Sequence, residues 1–89
     1  MAKTKAESRD KKVDKIIGAN IRRFRNERGL SQTALGRLLR ITFQQIQKYE
    51  SGLNSIAAAR IPALCEALDI SLEELFEGTL AKSGRTKRR

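Results

Sequence analysis

Among 89 residues there are one cysteine, one proline, one tyrosine, no tryptophan and no histidine. With Cys65 alone, no disulfide closes within the chain, and without histidine no Cys/His metal site can be assembled. No metal or other cofactor is therefore expected. Enzyme chemistry is poorly supplied as well: no acidic pair stands apart from a helix-capping or solvated role, so no catalytic residue is assigned and the chain is not expected to be an enzyme. Long apolar runs are missing too, and nothing approaches the roughly 18 residues needed to span a bilayer. The first residues are basic but lead into an amphipathic stretch, without the continuous apolar segment and small-residue cleavage site of a secretory signal. The expected location is the cytosol, with no membrane partner.

What is present is a soluble composition, 39% hydrophobic and 33% charged, in a length that suits one domain and leaves no room for a second, effector domain. The net charge of +9 is unevenly spread. Residues 1–12 carry five basic and two acidic groups, and residues 81–89 carry Lys82, Arg85, Lys87, Arg88 and Arg89 with no acid. The body, residues 13–80, is nearly neutral, with nine basic and eight acidic groups. Flexible basic tails are expected at residues 1–12 and 79–89, around a domain at 13–78. Such tails raise affinity for any polyanion through counterion release and supply no sequence information; solubilising ends are the plainer alternative.

Helical periodicity runs through the body. Val13, Ile16, Ile17, Ile21 and Phe24 place an apolar stripe on a first helix, which Gly29 ends. A second helix of about two turns is predicted from the cap Ser31, with Leu35, Leu38 and Leu39 on its buried side. Thr42 and Gln45 form a capping box and Ile41 with Ile46 a hydrophobic staple, so a third helix starts at Thr42, carries Ile46 and Tyr49 inward and stops at Ser51-Gly52. Only Arg40 and Ile41 separate the second helix from this cap, so the two must meet at a sharp angle. Ile61, Leu64, Cys65 and Leu68 mark a fourth buried face, whose helix either begins just before Pro62 or bends there. Ser71 with Glu74, and Ile70 with Leu75, cap and staple a fifth helix that Gly78 ends. The fold class is all-α, a compact five-helix bundle containing a helix-turn-helix at about 31–50.

The pattern Gly29-Leu30-Ser31-Gln32, Leu35, Leu39, Ile41-Thr42, Ile46, Glu50, Gly52, Leu64, Ala67-Leu68 resembles the Cro/CI-type (XRE) helix-turn-helix family of bacterial and phage regulators, without gaps from about Ile17 to Phe76. The resemblance implies a lambda-repressor-like DNA-binding domain whose third helix lies in the major groove while the second crosses the backbone. The positions matching the family's base readers are Phe43, Gln44 and Lys48, with Gln45 close by. Glutamine suits adenine N6 and N7, lysine suits guanine O6 or N7, and Phe43 either touches a thymine methyl group or leans back onto the second helix. Phosphate contacts are expected from Gln32, Thr42, Asn54 and Ser55, with Arg22, Arg23 and Arg37 available to add charge. Arg25 and Glu50 match family positions that pair, and a partly buried ion pair is expected to fix the recognition helix. Two residues depart from the family pattern: Arg40 where a turn glycine is usual, and Gly36 where a small alanine is usual.

What this implies is sequence-specific binding of double-stranded DNA by a transcriptional regulator, a repressor acting as a homodimer on an inverted repeat, with Leu72, Phe76 and Leu80 offering apolar surface for the second subunit. The same module serves antitoxins and restriction-modification controllers. A protein-interaction adaptor that has kept the fold without reading DNA is the alternative of another class.

Overall fold

The structure, a computed structural model, describes the backbone of residues 2–80 and the side chains of residues 10–80. Its elements are α1 (Ala2–Glu27), α2 (Gln32–Leu39), α3 (Phe43–Ser51), a 3-10 turn at Ala58–Arg60, α4 (Ile61–Leu68) and α5 (Leu72–Leu75). There is no strand among the described residues.

The first helix starts at Ala2, so the boundary expected after residue 12 is not a break in the helix. The reason is local: residues 2–12 hold no glycine or proline and are rich in Ala, Lys, Glu and Arg, all strong helix formers. The expected C-terminal tail lies outside the described residues except for Thr79 and Leu80, and the side chains of Lys3, Lys5 and Arg9 lie outside them as well.

One core joins the helices, built from Ile21 and Phe24 of α1, Leu35 and Leu39 of α2, Ile46 and Tyr49 of α3, Leu64 and Leu68 of α4, and Leu75 of α5. Leu38, expected on the buried side of α2, is 58% exposed. At about 100° per residue, the face shared by Leu35, Gly36 and Leu39 points roughly a third of a turn away from Leu38. The buried side is turned toward Gly36 because α3 comes in there: a Cβ on Gly36 would sit 2.7 Å from the Ile41 carbonyl oxygen.

Helix ends account for the turns. Ser31, Thr42 and Ser71 are N-caps in extended backbone, accepting hydrogen bonds from Ala34, Gln45 and Glu74 N–H respectively. The Ser71 box is complete, with the Glu74 carboxylate accepting from the Ser71 N–H at 2.8 Å. The Thr42 box is not: Thr42 Oγ1 accepts the Gln45 N–H at 3.1 Å, and among the described residues the Gln45 side chain makes no return bond. Pro62 falls in the first turn of α4, where its missing N–H costs nothing, so the helix begins beside it without a bend.

α1 and the residue that follows it also fasten the far end of the bundle. Asn20, buried, donates from Nδ2 to the Leu75 and Glu77 carbonyls at 2.8 and 2.9 Å. Arg28 donates to the Leu68 and Asp69 carbonyls at 2.7 and 2.9 Å. Both satisfy C-terminal carbonyl groups that a helix leaves without an internal partner.

Candidate nucleic-acid interface

The helix α3 presents two chemically different sides. Ile46 and Tyr49 point into the core, with Glu50 and Gln45 on either flank. Successive residues turn by about 100°, so the opposite side gathers Gln44, Gln47, Lys48 and Ser51, with Phe43 at its edge. All five are exposed, Phe43 at 42%. Of the residues that match base-reading positions, Phe43, Gln44 and Lys48 thus share one open face, and Gln45 lies on a flank away from it.

What holds this face in place is a chain of polar contacts under the helix. Arg25 meets Glu50 through two parallel bonds, Nε to Oε2 at 2.6 Å and Nη2 to Oε1 at 3.1 Å. The two side chains are only 10% and 5% exposed. Arg25 Nη1 donates to the Leu30 carbonyl at 2.8 Å, so the guanidinium also ties down the entry to α2. Glu50 Oε1 accepts from Gln32 Nε2 at 3.0 Å, and Gln32 Oε1 accepts from Gln47 Nε2 at 3.2 Å. A planar, forked pair of this kind sets geometry as well as charge. Its effect reaches the exposed face, because the last amide in the chain belongs to Gln47. Nothing in the family positions singled out Gln47; the signal available in the sequence was its place four residues after Phe43, on the side of α3 away from Ile46.

A close backbone approach supports the same helix from behind. Gly18 of α1 is buried, and a Cβ there would lie 2.6 Å from the Glu50 carbonyl oxygen. No side chain fits, so α1 and the end of α3 touch backbone to backbone. Gly52 then closes α3 in left-handed conformation, φ 80°, against Lys15, whose Cα would stand 2.9 Å from an added Cβ.

The expected phosphate-contacting residues are placed as follows. Gln32 opens α2 and is half-buried; its side-chain oxygen and one amide hydrogen are engaged with Gln47 and Glu50, leaving the second amide hydrogen and the N–H groups of the first helical turn. Thr42 is exposed and uses its oxygen as an acceptor, so its hydroxyl proton is available. Asn54 is exposed, and its backbone N–H donates to the Lys48 carbonyl at 3.2 Å. Ser55 is exposed, but its hydroxyl proton goes to Asp14 Oδ2 at 2.6 Å. Of the additional arginines, Arg23 stacks over the Phe24 ring at 4.3 Å and bridges to Glu77 at 3.3 Å, which occupies it at the α5 end of the bundle.

Two short helices meeting at a tight turn, the second with a braced polar outer face, define a helix-turn-helix fold. A family profile described as helix-turn-helix matches residues 21–75, and the chain belongs to that family, the XRE-type helix-turn-helix transcriptional regulators. It is 43% identical over 70 residues to y4wC, an uncharacterized HTH-type transcriptional regulator of Sinorhizobium fredii, covering 79% of this chain and 49% of that one. It is 40% identical over 67 residues to the uncharacterized HTH-type transcriptional regulator RC0668 of Rickettsia conorii, covering 75% and 54%. The chain thus spans about half the length of these relatives. Among solved structures it resembles the restriction-modification controller protein C.AhdI from Aeromonas hydrophila, with a TM-score of 0.70 and 30% identity over 74% of this chain and 96% of that one. The clp gene regulator ClgR from C. glutamicum shares the fold, with a TM-score of 0.69 at 22% identity, over 72% and 82%.

Proposed function

We propose that this chain reads double-stranded DNA by sequence and regulates transcription, acting as a homodimeric repressor on an inverted repeat in the bacterial cytosol. The observation that carries the reading is the shared open face of Gln44, Gln47 and Lys48, with Phe43 at its edge, on a helix anchored by the Arg25–Glu50 pair. An α-helix fits the major groove, where glutamine can bond adenine bidentately and lysine can donate to guanine, each good bidentate pair discriminating by roughly 1–3 kcal/mol. Thr42, Gln32 and Asn54 flank that face and supply N–H and O–H groups for phosphates, which set register without reading sequence. Leu72 and Leu80 are exposed at the far end, offering apolar surface for a second subunit. Two such subunits would place their recognition helices about 34 Å apart, one turn of duplex.

Control of a restriction-modification system is a second reading, favoured by the 30% identity to C.AhdI across nearly all of that chain. Both readings need sequence-specific DNA binding, and an adaptor without it does not.

Selection of bound duplexes from a random pool tests the proposal. The expected product is one palindromic consensus, with Gln44→Ala relaxing preference at one base pair per half-site and leaving the others. Recovery of no preferred sequence would reject DNA reading and leave the adaptor.

A further inference from the structure

Behind the DNA-facing side, a cavity of about 150 Å³ opens between α1, the segment after α3, the 3-10 turn and α5. Its walls are hydrocarbon: Ile17, Ile56, Ala58, Ile61, Leu75 and Phe76. Four polar residues break them: Asp14, Tyr49, Asn54 and Ser55. Tyr49 is 8% exposed, and among the described residues nothing is hydrogen-bonded to its hydroxyl. Asp14 is half-buried, receives the Ser55 hydroxyl at 2.6 Å, and has no lysine or arginine within ion-pair distance among the described residues. The nearest cations of α1 are turned elsewhere: Lys11 Nζ lies 3.4 Å from the Leu53 carbonyl, and the stem of Lys15 packs at Gly52.

A largely apolar, solvent-open hollow of this size has room for a single benzene-sized ring and for nothing as large as an ordinary cofactor. A carboxylate partly removed from water at its lining favours a positive charge beside it. We propose that the cavity binds a small organic amine, its compact hydrocarbon body held against Ile17, Ile56 and Ile61 and its ammonium group on the Asp14 carboxylate, and that occupancy regulates DNA binding. The amine site stands on the cavity alone, whereas its regulatory effect rests on the proposed function. The link is Ser55. An ammonium at Asp14 draws on the same carboxylate that accepts the Ser55 hydroxyl and weakens that bond, and Ser55 with Asn54 belongs to the segment offered to phosphates. Releasing that hydroxyl frees a donor at the interface, so DNA affinity changes with occupancy while the base-reading face of α3 is left as it was.

Benzylamine titrated into the full chain, followed by methyl and amide NMR, tests the binding step without DNA. Saturable shifts are expected at Ile17, Ile56 and Ile61. Benzyl alcohol, of the same shape without the charge, should bind about five-fold more weakly, the scale of a half-exposed ion pair. Asp14→Asn should bring benzylamine down to the level of benzyl alcohol. Ala58→Leu fills the cavity from an exposed position and should abolish both sets of shifts with Tm held or raised. No saturable shift, benzyl alcohol binding as well as benzylamine, or undiminished binding by Ala58→Leu would each overturn the site. Affinity for the selected duplex should then change several-fold with saturating benzylamine in the parent chain and not in Ala58→Leu; no change in the parent overturns the regulatory half. Failure to select any duplex sinks the proposed function instead, and the NMR titration distinguishes the two failures.

Discussion

The turn from α2 to α3 and the turn from α4 to α5 run through the same steps: Leu39-Arg40-Ile41-Thr42 in the first, Leu68-Asp69-Ile70-Ser71 in the second. In each, a buried leucine ends a helix, a residue in left-handed conformation reverses the chain, an isoleucine packs on the core, and a hydroxyl caps the next helix. Even the closing bonds correspond, Ile41 N–H to the Gly36 carbonyl at 2.9 Å and Ile70 N–H to the Cys65 carbonyl at 3.0 Å. The difference lies in what holds the second helix down. α5 is fixed by its complete capping box and by Asn20 and Arg28 reaching carbonyl groups at helix ends. α3 has half a box and is fixed from below by the buried Arg25–Glu50 pair and the Gly18 contact. The first arrangement suits a part that only has to stay packed. The second leaves the outer face of the helix open and puts the buried restraints on its underside.

The largest expected effect comes from removing each anchor in turn. Glu50→Ala strands the Arg25 guanidinium in a site where it is 10% exposed, and takes the partner of Gln32 as well. Breaking one side of a buried pair costs about 3–5 kcal/mol. Arg28→Ala removes bonds to carbonyl groups from a side chain 44% exposed, and about 1 kcal/mol is expected. Urea unfolding of both variants checks the ranking. Replacing Arg25 and Glu50 together with apolar residues of similar volume should cost less than Glu50→Ala alone; a double variant showing the full sum of two single losses would mean that the pair is not coupled.

A smaller effect separates the turns at the position four residues before the left-handed one. Gly36 stands there in the first and Cys65, half-buried, in the second. By propensity alone Gly36→Ala should stabilise α2 by about 1 kcal/mol. The new Cβ would meet the Ile41 carbonyl oxygen at 2.7 Å, however, and that oxygen is backbone and cannot swing aside. Overpacking typically costs about 1–3 kcal/mol, so a net loss of roughly 1 kcal/mol is expected, with weaker duplex binding as α3 shifts. Cys65→Ala keeps the Cβ its site already accommodates and should cost less in the same unfolding assay. Burial raises the Cys65 thiol above its ordinary pKa, so it sits there as a neutral group at pH 7. A stabilised Gly36→Ala would show that the two turns are equally roomy.

The legible parts of this fold are those whose cause is local. Caps, staples and glycine stops act over three to five residues, and Ser31, Thr42, Ser71 and Gly52 stand where the spacing put them. The side of α2 that is buried was not legible, because it depends on the direction from which α3 arrives, and Leu38 has the same apolar character as its buried neighbours. Asn20 and Gly18 carried no local mark either. Asn20 caps a helix 55 residues away, and Gly18 touches the carbonyl of Glu50, so their roles exist only once the chain has closed. At the interface, matching to family positions selected Phe43, Gln44 and Lys48 but not Gln47, whose orientation comes from Gln32 and, through it, from Glu50. Asp14 and Tyr49 likewise meet around one cavity only in the folded chain.

The smallest effect concerns the left-handed residues themselves. Arg40 adopts φ 61°, ψ 43° and Asp69 φ 57°, ψ 51°, a conformation that costs most residues with a Cβ about 1–2 kcal/mol. Aspartate visits it more readily than arginine, because its short side chain can bond locally, so the strain is concentrated in the first turn. Glycine relieves that strain but loses more backbone freedom on folding, which removes part of the gain. Arg40→Gly is therefore expected to stabilise the chain by about 0.5–1 kcal/mol, a rise in Tm of a few degrees for a domain of this size. Asp69→Gly should gain nothing measurable, since there is less strain to relieve and the Asp69 contact with Arg28 at 3.4 Å is lost. Parallel thermal unfolding of the two variants decides it, and equal gains would mean that the two turns carry the same strain.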